Sequence, residues 1–147
     1  MNLLDLAKKL EKMSAELEEN VTKLSNKVAL TLVGELASKT PVDTSQALSN
    51  WQVSLNEPIS DSDKISPWFP GESGSTQGQS IRATIDEAKR IIEQRKPGDS
   101  IYISNVLPYI KRLDEGHSKA QAPNGFVDSC LLITRLYLKN SKIKLVK

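Results

Sequence analysis

With 147 residues and 38% hydrophobic content, the chain can build one modest core and hardly two, so a single domain over residues 1–147 is expected. A lone cysteine, Cys130, excludes an intrachain disulfide and a cysteine-rich metal site and reads as core filler, while no run of about 18 apolar residues exists to span a membrane. Net charge is +2 but unevenly spread: residues 1–63 hold six lysines against ten acids, leaving an excess of six positive charges in the remainder. Opposite-sign faces favour head-to-tail contacts between copies, although charge runs are also ordinary solvated surface.

From Asn2 to about Ser38 the pattern is helical. Leu3, Leu10, Leu17 and Leu24 recur every seven residues, and Leu6, Met13, Val21, Val28 and Leu32 fill the same stripe without a proline. The first half is flanked by Lys8, Lys9, Glu11, Lys12, Glu16, Glu18 and Glu19, with too few apolar partners in so short a chain to bury all of it. It either packs on another copy, covers the domain's own sheet, or frays. The mixture of Asp5, Lys8, Lys9 and Glu11 near the start is unlike a signal peptide and predicts synthesis into a cytoplasm. Thr40-Pro41 ends the helix, because the residue before proline is pushed out of helical geometry. Asp43, Thr44 and Ser45 suit a turn or cap, and Trp51, Val53 and Leu55 then alternate with Gln52, Ser54 and Asn56 as a half-buried strand anchored by Trp51.

Residues 57–80 lose all regularity. Pro58, Pro67, Pro70, Gly71, Gly74 and Gly78 among Ser and Asp predict an extended loop longer than most connections. Trp68 and Phe69 inside it are either anchors for a partner or a plug folded back on the domain. A second helix is predicted from Gln79 or Ser80 to near Arg95, with Ile81, Ile85, Ala88 and Ile92 on one face. Ile101, Tyr102 and Ile103 form a short strand expected to pair with the Trp51 strand. Two strands alone are marginal, and Ile143, Leu145 and Val146 are the candidate third.

Pro108 opens a short helix in which Tyr109, Ile110 and Leu113 share an apolar face, and Gly116 is placed to stop it in a left-handed conformation. His117 to Asn124 is a polar loop shaped by Pro123, Asn124-Gly125 is a turn pair, and Phe126 to about Lys139 is a last helix. Residues 140–147 alternate charged and apolar side chains, as an edge strand or a basic partner-binding tail would. Taken together this is an α+β fold: a long N-terminal helix plus two or three shorter helices on a small antiparallel sheet.

Within Asn105–Val127, the order Tyr109, Leu113, Asp114, Gly116, Ser118 and Gln121-Ala122-Pro123-Asn124-Gly125-Phe126-Val127 resembles the neck or tail-completion proteins of tailed bacteriophages, the minor tail protein Z-like group. Thr40-Pro41-Val42-Asp43-Thr44 followed by Trp51 is similar to a second segment of that family. Ser45 stands where the family usually has glycine, and the stretch from Ser118 to Pro123 is one residue longer than usual. The resemblance implies a virion structural protein, made in the host cytoplasm, that forms a ring of six or twelve copies at the head–tail junction. It also implies contacts with adjoining portal, adaptor, head-closure and tail proteins, and a channel through which DNA passes without sequence recognition. No catalysis, cofactor or metal is expected. The partner-contact candidates are Trp68, Phe69, Gly116, His117, Ser118, Gln121, Pro123, Lys142, Lys144 and Lys147.

Other chemistry finds little support in the residues. His117 is the only histidine, so a zinc site lacks ligands, and a triad drawn from His117, Ser118 and Asp114 would crowd onto one exposed turn without an oxyanion-binding glycine loop. Asp61-Ser62-Asp63 is too short for a calcium loop, and Gly71, Gly74 and Gly78 precede no Lys-Ser/Thr pair. The alternative function is a small nucleic-acid-binding module. Arg135, Lys139, Lys142, Lys144 and Lys147 occupy the acid-free C-terminal end and could contact phosphates.

Overall fold

The computed structural model describes residues 2–42, 45–117 and 125–140. Five helices and two strands carry the fold among them: α1 (Leu3–Lys39), α2 (Gln46–Ser49), β1 (Gln52–Leu55), α3 (Gln77–Ile92), β2 (Ile101–Ser104), α4 (Ile110–Arg112) and α5 (Val127–Asn140). This is an α+β domain in which helices pack around a two-stranded antiparallel sheet.

Asn2 starts α1 by accepting the Asp5 N–H at 2.8 Å, and Thr40 ends it in extended geometry, as a residue before Pro41 must. The predicted strand pair forms with Val53 opposite Ile103 and Leu55 opposite Ile101. A pair so small needs a helix beneath it. Ala29 and Val33 of α1 and Ala88 and Ile92 of α3 supply that support, burying Val53 between them. A second cluster joins Leu36, Phe126 and Cys130, and a third joins Ala37, Val42 and Leu48. All three clusters draw on α1, and only from Ala29 onward.

The first half of α1 is therefore not a core helix. Leu3, Leu6, Leu10, Met13, Leu17 and Val21 are all exposed, Leu3 at 86% and Leu10 at 55%. The body of the domain begins where Arg95 donates to the Thr22 carbonyl and to Asn26 Oδ1 at 2.9 Å, so the expectation that the stripe covers the sheet is corrected. A sheet of four-residue strands has no area left for it.

Three further expectations change. α3 begins at Gln77, because the turn at Ser73–Thr76 already bends the chain into helix, and it ends at Ile92. The 57–80 loop is not structureless: Ser60 caps a 3-10 turn at Asp61–Asp63, with its own N–H donating to Asp63 at 2.8 Å. Instead of a helix stopped past its end by Gly116, α4 widens into a π turn over Leu113–His117 that contains Gly116. The proposed third strand at Ile143–Val146 and the turn residues Asp43 and Thr44 lie outside the described residues.

Candidate functional site

Two parts of the chain far apart in sequence meet on one side of the domain. The Thr40 hydroxyl donates to the Leu36 carbonyl at 2.5 Å and accepts the Trp51 indole N–H at 2.7 Å, so the end of α1 fixes the entry to β1. Trp51 in turn meets Phe126 edge to face, with ring centroids 6.4 Å apart and planes at 86°. Phe126 is buried against Leu36 and Cys130, and its backbone N–H donates to Asp114 Oδ1 at 3.0 Å. The next amide, Val127, donates to the same oxygen at 2.9 Å.

Asp114 thus caps α5 from a different element. The opening amides of a helix have no intrahelical acceptor, and a carboxylate there also meets the positive end of the helix dipole. The chain leaves this carboxylate at the π turn and returns to it at Gly125, which has φ +83°. A Cβ on Gly125 would overlap the Asp114 carbonyl oxygen. Both ends of the connection between α4 and α5 are clipped together at this point. Beside it Ser38, Lys39, Thr40, Gln77, Gly125, Phe126 and Ser129 line an open depression of about 430 Å³. Burial pushes the Cys130 thiol up from its ordinary range, with Lys39 acting against that and Glu35 and Asp114 reinforcing it.

Trp68 and Phe69 stand at the surface, 40% and 45% exposed, on a loop whose backbone is fastened from beneath. Buried Asn50 accepts the Ile65 N–H at 3.0 Å and returns a hydrogen bond to the Ile65 carbonyl at 3.0 Å, copying a pair of strand bonds with one side chain. Gln46 donates to the same carbonyl at 2.7 Å, and Ser49 Oγ accepts the Trp68 N–H at 3.1 Å. Thr76 and Ser80 hydroxyls both donate to the Phe69 carbonyl. The loop is a fixed shelf carrying two half-exposed rings, between the anchor and plug alternatives.

Gly116 and His117 lie in the π turn, beside Asp114 in sequence but distant from Trp68 along the chain. Ser118, Gln121, Pro123, Lys142, Lys144 and Lys147 fall outside the described residues. Among the described residues no group of three or more His, Cys, Asp or Glu is placed to hold a metal ion. Sequence reasoning missed the capping role of Asp114 and gave Gly116 the weight that the close approach gives to Gly125. The available signal was an Asp before a Gly-x-x helix start, but the two are separated by a loop, whereas capping rules read only adjacent residues.

The fold and site define a small α+β domain whose loops are fastened by side chains of other elements. Compared with models of known protein families, with curated proteins and with solved structures, the chain gives no match.

Proposed function

We propose that this chain is a virion structural protein of a tailed bacteriophage, assembling as a ring at the head–tail junction and leaving a channel for DNA. One observation carries the proposal. Residues from both segments that bear the resemblance, Thr40 and Trp51 from one and Asp114 and Phe126 from the other, meet in a single cluster through Thr40–Trp51, Trp51–Phe126 and Phe126–Asp114 contacts. A shared local design would bring these residues together, and their meeting supports that reading. That design fixes where a connecting loop leaves and returns, which is what a protein working by surface complementarity needs. Six or twelve copies would contact adjoining portal, adaptor or head-closure and tail proteins, with the Trp68–Phe69 shelf and the α4–α5 connection as contact elements.

The test is to label purified virions with an antibody against this chain and image them. Label at the head–tail junction, in six or twelve copies per particle, is the expected result. Virions free of the chain, together with salt-dependent binding of the purified protein to DNA, would overturn it in favour of the nucleic-acid module.

A further inference from the structure

We propose that a second copy of this chain pairs antiparallel with the first along the projecting half of α1. The reading concerns the free protein and does not depend on a place in a virion.

Written as a heptad, the projecting half places Leu3, Leu10 and Leu17 at one core position and Leu6, Met13 and Asn20 at the other. The apolar members of that seam are all exposed, over a rod of about 27 Å from Leu3 to Asn20 at 1.5 Å per residue. Beyond it the body of the domain begins, at the Arg95 contacts to Thr22 and Asn26. Laying two such rods side by side in opposite directions, so that each tip reaches the other's body, sets Leu3 against Asn20 of the second copy. The same register sets Leu6 against Leu17 of the second copy and Leu10 against Met13 of the second copy. Every core position meets its antiparallel counterpart, and Leu3 of one copy arrives at the mouth of a groove of about 380 Å³ lined by Val21, Leu24, Val28 and Leu138.

Charge selects this register. Antiparallel helices bring one flanking column against itself, here Lys9 against Glu16 of the second copy, and by symmetry Glu16 against Lys9 of the second copy. The other flank pairs Ala7 with Ser14, small residues that let the helices close. Sliding the pairing by one heptad sets Lys9 against Lys9 in one direction. In the other it sets Lys9 against Lys23 and Glu16 against Glu16. A parallel pair would face Lys9 with Ser14 and Glu16 with Val21, gaining no ion pair. Length, core layering and charge thus agree on one arrangement, and the like-charge alternatives are disfavoured.

The experiment is sedimentation equilibrium on the full chain, using Lys9→Glu and Glu16→Lys variants. Wild type should dimerise. Each variant alone replaces two attractions by two repulsions and should dimerise about tenfold more weakly. An equimolar mixture of the two should recover wild-type affinity, because every pair is then opposite in sign. Leu10→Asp, on the exposed stripe, should abolish the dimer while leaving the melting curve unchanged when both proteins are measured too dilute to associate. A wild-type monomer, single variants that associate like wild type, or a mixture no tighter than its components would each overturn the proposal.

Discussion

One carboxylate oxygen of Asp114 accepts the backbone N–H groups of both Phe126 and Val127, twelve and thirteen residues later. The first turn of α5 therefore depends on a residue in the π turn before the connecting loop. Asp114→Ala should cost about 1–3 kcal/mol, the usual loss for a hydrogen bond to a charged acceptor whose donors are left half-buried. Asp114→Asn keeps an acceptor oxygen and should recover more than half of that. Chemical denaturation of the three proteins checks the order, and equal midpoints would remove the cap from the account of this loop.

Gly125 and Gly98 separate steric overlap from backbone strain. Both have positive φ, +83° and +89°, but a Cβ on Gly98 has nothing within 4 Å, whereas on Gly125 it overlaps Asp114. Gly98→Ala should cost about 1–2 kcal/mol from the left-handed backbone alone. Gly125→Ala should add about 1–3 kcal/mol for overpacking. Denaturant midpoints of the two variants measure the difference, and equal losses would mean that the loop moves aside freely.

Ser45 holds a left-handed backbone, φ +69°, at a buried position where the resembled family usually has glycine. Ser45→Gly relieves about 1–2 kcal/mol of strain but enlarges the freedom of the unfolded chain by about 0.4–1 kcal/mol, so a gain of up to about 1.6 kcal/mol is expected. Ser45→Val should lose more than about 2 kcal/mol, since a branched side chain is poorly tolerated there and has no free volume. Thermal melts of both variants test the sign of each change.

Thr40 and Trp51 should show thermodynamic coupling. Thr40→Val and Trp51→Phe each delete the 2.7 Å hydrogen bond, so their double variant should be about 1 kcal/mol more stable than the two single losses predict. A cycle that sums to zero would mean the indole N–H is satisfied elsewhere.

Cys130 is fully buried, and its burial raises the thiol above its ordinary range. The unfolded chain's thiol ionises first as pH rises, so this residue's contribution to stability is intact below the ordinary thiol range and is lost through the folded value. Reaction with an aromatic disulfide reagent should be slow in the native protein at pH 8 and complete once it is unfolded. Rapid native labelling would show that the cluster around Phe126 opens readily.

Local spacing alone determined α1, α3, α5 and the strand pair, while the short α2 at Gln46–Ser49 and the π turn after α4 were not legible in it. The seven-residue leucine repeat, the Thr40-Pro41 stop and the alternation around Val53 act within a turn or two of the chain, where backbone sterics and side-chain period decide geometry. The same leucine repeat runs unchanged from the exposed Leu3 to the partly buried Leu24, and nothing in its period distinguishes a stripe facing solvent from one facing a core. That division came from the tertiary structure, because burial depends on what other elements can reach, and a short two-stranded sheet reaches only the last third of α1. Likewise Gly116 and Gly125 are equally plausible turn glycines when read locally. Only the fold brings Gly125 against Asp114, across a loop that capping rules do not span, and so leaves it no room for a side chain.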